Sequence, residues 1–152
     1  MTDDTRATLS CGLACKDPRA ELKWLEKAFG FEITLVVEIP DGAIAHSEMR
    51  FGEAVIYVGS EWDERHRSPA SLGGVNTQSI HIQLAAGLDA HCEKARAAGA
   101  IIIAEPADQF YGDRNYRAAD PEGHVWTFGQ TVKELSFAEM DEASGLKMRT
   151  SL

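Results

Sequence analysis

The feature that most constrains the fold is a repeated order of predicted elements: strand, helix, strand, strand, strand. The first pass covers about residues 9–60 and the second about residues 79–130. Residues 51–59 also align with residues 121–129, an offset of 70 residues. A repeat of that length is too long for a solenoid and fits a duplicated module. We therefore predict an α+β fold of two tandem βαβββ modules.

Local signals set the boundaries of these elements. Asp17 followed by Pro18 favours a helix start, and Gly30 favours its end. Residues 120–123, Asp-Pro-Glu-Gly, suit a type I turn between the last two strands, and we expect His124 after it to be exposed. The predicted single domain, 1–152, comprises module 1 (about 9–60), a polar linker (61–78), module 2 (about 79–130) and a C-terminal tail (131–152) that begins with a capping-box helix.

Composition argues against several classes of function. A net charge of -9 argues against nucleic acid, because phosphate binding needs clustered lysine and arginine, and it disfavours anionic membrane surfaces. No apolar run approaches the roughly 20 residues that span a bilayer, and no apolar signal core follows the N-terminus. We expect a cytoplasmic protein with no nucleic-acid or membrane partner, and with reduced thiols at Cys11, Cys15 and Cys92.

Strand alternation predicts which side chains face away from the core. With helices on the outer face of a curved, mixed and mainly antiparallel sheet, the other face is expected to form a cleft. Ile80, Ile82, Trp126 and Phe128 are predicted to face the core. The cleft-facing positions on the first and last strands of the two modules include Ser10, Tyr57, His81, Gln83 and Thr127.

His81 is the most chemically able residue of this set, as a general base or a ligand. The alternative is a buried histidine bonded to a neighbour. His46 and Glu48 lie two apart on one strand face, either as an acid/base pair or as solvent-facing residues on an edge.

Residues 110–117 combine two tyrosines and two arginines around a glycine. Tyr111, Arg114 and Arg117 suit stacking on, or ion pairing with, a planar or anionic small molecule. The alternative is a loop whose arginines pair with Asp113 and Asp120.

The sequence also resembles a known family. Residues 13–17 and 22–31 resemble the opening strand and helix of the glyoxalase/bleomycin resistance/dioxygenase (vicinal oxygen chelate) superfamily. Residues 44–52, 111–114 and 120–129 resemble its PhnB-like and bleomycin-resistance-like branch. The similarity covers roughly residues 9–130 and implies the same fold, commonly as a homodimer.

In metal-dependent members the first and last strands of each module supply the metal ligands. The matching positions here look like Ser10, Tyr57, His81 and Thr127, and of these His81 is the good metal ligand. A catalytic divalent ion normally needs at least three protein ligands. The resemblance therefore implies the fold without its usual metal site, and we expect no cofactor, with a divalent metal as the alternative.

Three functions follow as hypotheses. The first is a metal-independent protein that binds a small, aromatic or antibiotic-like ligand and is not an enzyme. The second is a superfamily lyase, isomerase or dioxygenase, with an unusual metal site or with metal-free acid/base catalysis by His81. The third is an interaction module without a ligand, whose tail mediates assembly.

Overall fold

The computed structural model describes residues 7–152 and confirms the α+β fold of two βαβββ modules. Each module runs strand, helix, strand, strand, strand, and a capped helix follows the second. The elements are β1 (Cys11–Cys15), α1 (Pro18–Phe29), β2 (Glu32–Glu38), β3 (Ile44–Phe51), β4 (Ala54–Ser60), β5 (Ser79–Gln83), α2 (Leu88–Ala97), β6 (Ile101–Asp108), β7 (Asp113–Ala119), β8 (Val125–Thr131) and α3 (Phe137–Ser144).

The strands form two four-stranded sheets, where the sequence predicted one curved sheet. Their orders are β1-β4-β3-β2 and β5-β8-β7-β6. In each sheet the first and last strands of the module pair in parallel, and the remaining pairs are antiparallel. The parallel pair is possible because the helix and the two intervening strands form a long crossover between its strands.

The chain divides into two compact units. Unit 1 contains the chain up to Thr77 together with Pro121–His124, and unit 2 contains Gln78–Asp120 and Val125–Leu152. In unit 1 the Asp17 carboxylate accepts a hydrogen bond from the Ala20 amide at 3.0 Å, and Gly30 ends α1 with a φ of 83°. The apolar face of α1 is buried with the inward side chains of β1 and β4: Leu13, Leu22, Leu25, Phe29, Ile56 and Val58.

The core of unit 2 contains an aromatic group that the sequence only partly indicated. Trp126 and Phe128 are buried as predicted. Tyr116 belongs to the segment 110–117 that was singled out for ligand binding, but its ring stacks on Phe128 in the core, with centroids 5.3 Å apart. Its hydroxyl lies 2.6 Å from Nδ1 of His91, and burial raises the pKa of Tyr116. The pleat of β7 explains the difference, because alternate residues of that strand face α2.

The predicted linker and turn contain more ordered structure than their composition suggested. Residues Pro69–Leu72 form a short 3-10 helix. Ser68 is buried, and its hydroxyl donates to the carboxylate of Glu122. The same carboxylate accepts from the amides of Lys16 and Asp17, both at 2.9 Å. His124 is also buried rather than exposed, with Nε2 2.9 Å from the carbonyl oxygen of Ala14.

The tail contains the predicted helix. Ser136 and Glu139 form a reciprocal capping box at the start of α3, and Gly145 follows its end in the left-handed conformation. None of the helices formed by residues 7–152 has both the length and the apolar character needed to cross a membrane.

Candidate functional site

Three of the predicted site residues lie in one row across the helix-free face of unit 2, the face opposite α2. In the parallel pair His81 lies opposite Thr127, and in the antiparallel pair Thr127 lies opposite Arg117. The order of the row is therefore His81, Thr127, Arg117 across β5, β8 and β7. All three types of side chain can hydrogen-bond to a ligand.

A polar network lies beside this row. Nε2 of His81 is 2.9 Å from Oε1 of Gln83. The Gln83 amide nitrogen donates to Oδ2 of Asp113 at 3.1 Å and to Oγ1 of Thr131 at 3.2 Å. Sequence reasoning missed Asp113 and Thr131 because Asp113 was considered only as a partner of the arginines and module 2 was predicted to end at about residue 130. Asp113 and Arg117 are four residues apart on β7 and therefore face the same side of the sheet. This alternation was the signal by which Asp113 could have been predicted.

The network determines which nitrogen of neutral His81 carries the proton. A carboxylate only accepts hydrogen bonds, so Asp113 requires the NH₂ group of Gln83 to face it. The amide oxygen of Gln83 then faces His81 and requires a donor there. Neutral His81 therefore carries its proton on Nε2, and Nδ1 keeps a lone pair that can accept a hydrogen bond.

Gly129 creates the space in which His81 and Gln83 meet. It lies opposite Gln83 in β5 and Asn115 in β7. A Cβ atom at this position would stand 2.8 Å from Oε1 of Gln83 and 3.2 Å from Nε2 of His81. Real Cβ atoms essentially never come as close as 2.8 Å to another atom, so the lack of a side chain at Gly129 gives His81 and Gln83 the room to meet.

Arg117 and Arg114 have different surroundings. Nε of Arg117 donates to Oγ1 of Thr127 at 3.3 Å, and no carboxylate among residues 7–152 pairs with its guanidinium. Arg114 contacts carboxylate oxygens of Asp89 at 2.9 Å and Asp108 at 3.0 Å, and these hydrogen bonds raise its pKa. Arg114 is an odd number of residues from Arg117 along β7, so its side chain points away from the face that carries the row. Its role in ligand binding stays a prediction, and its ion pairs do not favour that role.

The partners proposed for the arginines in the alternative interpretation were wrong. Asp113 accepts from Gln83, and Asp120 accepts from the indole nitrogen of Trp126 at 2.9 Å. The arginine of this segment that does form ion pairs uses aspartates of α2 and β6 instead. Distance along the chain gave no signal for them.

Asn115, which is two residues from Arg117 on β7, connects Tyr111 to the row. The Asn115 amide donates to the hydroxyl of Tyr111 at 2.7 Å. The Tyr111 ring is 38% exposed and meets Phe110 edge to face at 5.1 Å. A partly exposed aromatic ring is thus available at the rim of the helix-free face.

The helix-free face of unit 1 carries different groups. Gly12 lies opposite Tyr57, so Gly12, and not Ser10, is the counterpart of His81; Ser10 precedes β1. His46 Nε2 is 3.0 Å from Glu48 Oε1, and the His46 and Tyr57 rings are 5.3 Å apart. The prediction that His46 and Glu48 face solvent agrees with their partly exposed side chains, but the edge position was wrong, because β3 is an inner strand and β2 forms the edge.

These positions do not fit the metal site of metal-dependent relatives. Unit 1 offers Gly12 and Tyr57, and unit 2 offers His81 and Thr127. One imidazole is the only strong ligand among them, fewer than a divalent catalytic ion requires. Within residues 7–152 no group of three or more histidine, cysteine, aspartate or glutamate side chains is arranged to hold a metal ion.

The thiols are poorly suited to nucleophilic chemistry. Cys11, Cys15 and Cys92 form no disulfide bonds within residues 7–152, and Cys15 and Cys92 are buried. Burial raises the pKa of Cys11 and of Cys92. The reactive form of cysteine is the thiolate, so both are kept in their less reactive state.

Comparison with known proteins establishes the family. Residues 8–128 match the model of the Glyoxalase/Bleomycin resistance protein/Dioxygenase superfamily. The chain belongs to this superfamily. Its members include enzymes and proteins that are not enzymes. Assignment to the PhnB-like branch stays a prediction.

Individual relatives share the architecture over most of the chain. The uncharacterized protein Mb0911c of Mycobacterium bovis is 30% identical over 147 residues, 94% of this chain and 95% of that protein. TioX from Micromonospora sp. ML1 has a TM-score of 0.66 at 28% identity and covers 86% of this chain and 100% of its own. The hypothetical protein SA1046 from S. aureus, at 17% identity and a TM-score of 0.61, covers 83% of this chain and 94% of its own, and shows the fold alone.

Proposed function

We propose that this protein binds a small organic molecule without a metal ion, on the helix-free face of unit 2. The observation that carries the proposal is the row of His81, Thr127 and Arg117, whose outer members keep unused hydrogen-bonding capacity. Nδ1 of His81 can accept, and the Arg117 guanidinium can donate. Such a pair orients a ligand directly, without an ion between ligand and protein.

The rigidity of the network supports binding. Gln83 holds His81, while Asp113 and Thr131 hold Gln83. A side chain already fixed in its binding conformation loses less entropy when the ligand arrives. The rim tyrosine, Tyr111, adds an aromatic surface, which favours the aromatic or antibiotic-like ligands expected from the sequence.

The proposal is tested with metal-depleted protein. We expect that a panel of aromatic and antibiotic-like compounds, followed by tryptophan fluorescence and ligand-observed NMR, yields ligands that bind equally with and without chelator. His81→Ala should weaken binding about tenfold or more, since it removes the fixed acceptor. His46→Ala is the matched control, because it removes a hydrogen-bonded histidine from the helix-free face of unit 1. Stoichiometric zinc, nickel or iron that is lost in His81→Ala, or a panel without any ligand, would refute the proposal.

One observation favours a second candidate, a superfamily enzyme with metal-free acid/base catalysis. The lone pair on Nδ1 of His81 could take a proton from a bound substrate. Turnover that survives exhaustive chelation and is abolished in His81→Gln would support this candidate. Turnover that needs an added divalent ion would instead support an unusual metal site.

We also propose, from the family resemblance, that the protein assembles as a homodimer. Light scattering combined with size-exclusion chromatography tests this directly. A monomer at concentrations where ligand still binds would show that one chain is sufficient for the site.

A further inference from the structure

We propose that the ligand of unit 2 is an organic acid with a hydroxyl or amino group on the carbon next to its carboxylate. Arg117 would bind the carboxylate, and His81 would accept a hydrogen bond from the neighbouring donor. This inference rests on the proposed function and names the chemical class that the site selects.

The first argument is the state of Arg117. Five other arginines within residues 7–152 contact carboxylates, namely Arg19, Arg50, Arg67, Arg96 and Arg114. Arg117 contacts a neutral hydroxyl instead, through one of the five N–H groups of a guanidinium. In a chain of net charge -9, an arginine that keeps most of its donors is suited to an anion from outside.

The second argument is the spacing of the two groups. Because Nε of Arg117 lies against Thr127, its guanidinium is held beside β8. His81 is opposite Thr127 on the adjacent strand, and adjacent strands lie about 4.8 Å apart. Arg117 is two strands from His81, but its side chain reaches the intervening Thr127, so that anion donor and histidine acceptor both adjoin the same position of β8. A compact ligand, with its carboxylate and its hydrogen-bond donor close together, fits this arrangement.

The third argument is the direction of the hydrogen bonds. Asp113 fixes Gln83, and Gln83 fixes the proton of neutral His81 on Nε2, so that Nδ1 accepts. Gln83 is thus a positioning residue for His81. Asp113 is itself a negative charge on this face, and its two carboxylate oxygens accept hydrogen bonds from the Gln83 amide and the Thr131 hydroxyl, both at 3.1 Å.

The experiment uses three probes of similar size: mandelate, mandelamide, which lacks the charge, and phenylacetate, which lacks the hydroxyl. We expect calorimetry on the full chain to show mandelate binding about tenfold or more tightly than either of the others. Arg117→Gln should abolish the preference for mandelate over mandelamide, and His81→Ala, which removes the acceptor, should abolish the preference over phenylacetate. Arg114→Gln is the matched control and should keep both preferences, because its partners are Asp89 and Asp108.

Each outcome decides the proposal. Equal binding of mandelate and mandelamide, a preference that survives Arg117→Gln, or no binding of mandelate overturns the acid class. If neutral compounds from the earlier panel still bind through His81, the proposed function stands and only the ligand class fails. If no compound binds at all, both fail.

A spectroscopic measurement separates positioning from folding. Long-range ¹H–¹⁵N spectra should show neutral His81 protonated on Nε2 in the wild-type protein. Urea unfolding of Gln83→Leu gives its stability, for which the binding data are corrected if it differs from that of the wild type. In this variant we expect a mixture of tautomers and a weaker preference for mandelate over phenylacetate. A single unchanged tautomer in Gln83→Leu would refute the positioning role.

Discussion

The two modules have similar cores but different helix-free faces. Ile56 of β4 and Trp126 of β8 occupy matching positions, and so do Val58 and Phe128; all four are buried. On the opposite face Gly12 and Tyr57 of module 1 correspond to His81 and Thr127 of module 2. The inward positions stayed apolar in both copies because each must pack against a helix, whereas the outward positions diverged.

This divergence indicates where binding chemistry resides. Module 1 presents His46 and Glu48, which are hydrogen-bonded to each other. Module 2 presents Arg117 without a carboxylate partner among the described residues. On this face, one copy of the duplicated unit thus pairs its carboxylate with a neighbouring imidazole, and the other keeps a cation available.

The turns before β4 and β8 differ as well. Glu53 of the first turn is exposed, while Glu122 of the second is buried and accepts from two backbone amides and the Ser68 hydroxyl in unit 1. The turn of module 1 is therefore a surface turn, whereas the corresponding turn of module 2 stabilises the β1–α1 junction through the hydrogen bonds that Glu122 accepts.

The largest expected effect is the loss of the Glu122 carboxylate. Glu122→Ala leaves buried donors without an acceptor, at about 1–3 kcal/mol for each group, so we expect a destabilisation of about 3 kcal/mol or more. Glu53→Ala is the matched control, and an exposed substitution of this kind stays within about 0.5 kcal/mol. Urea unfolding measures both. Similar losses in the two variants would show that the turns are equivalent after all.

Sequence patterns were sufficient for the order of strands and helices, but not for the division of the strands into two sheets. Asp17, Gly30 and Ser136 marked helix ends through capping chemistry that acts over three or four residues, and the structure has all three. The exposed position expected for His124 was wrong because its partner, the carbonyl of Ala14, is 110 residues away in the chain, and the Lys16 and Asp17 amides bound by Glu122 are also more than 100 residues away. Local patterns report local interactions and contain no information about such contacts.

The candidate site was only partly predictable for the same reason. Alternation correctly placed His81, Gln83 and Thr127 on the face opposite the helix. The row with Arg117 depends on strand register, which periodicity does not determine across separate strands. For the same reason Ser10 was chosen on the first strand, where Gly12, two residues further along, lies opposite Tyr57.

A smaller effect on stability is expected when a methyl group is added at the matching glycines of the two helix-free faces, Gly129 and Gly59. Gly129→Ala places a Cβ in contact with Gln83 and His81, whereas the matching Gly59 has nothing within 4 Å of a new Cβ. The side-chain ends can move, so we expect a stability change of about 1 kcal/mol or less. Displacing His81 and Gln83 should nevertheless weaken mandelate binding about tenfold.

The control for this prediction is Gly59→Ala, whose binding should equal that of the wild type. Calorimetry on both variants gives the comparison, and the His81 signals in ¹H–¹⁵N spectra report whether the imidazole has moved. Wild-type binding in Gly129→Ala would mean that the contact between His81 and Gln83 does not contribute to the site.

The smallest effect concerns the thiols of the two modules. Burial raises the pKa of both Cys11 and Cys92 above the ordinary value of 9.0, so less thiolate is present in the folded protein than in the unfolded chain at the same pH. For an acid whose folded pKa is raised, the associated stability is complete below the unfolded pKa and declines as pH rises through it. We therefore expect slower thiol labelling at pH 8 in buffer than in urea, and a modest loss of stability above about pH 9.

Cys11 is only partly buried and Cys92 fully buried, so peptide mass spectrometry should find Cys11 labelled first. Faster labelling of Cys92 would mean that the core of module 2 opens more readily than that of module 1, the reverse of what their packing predicts.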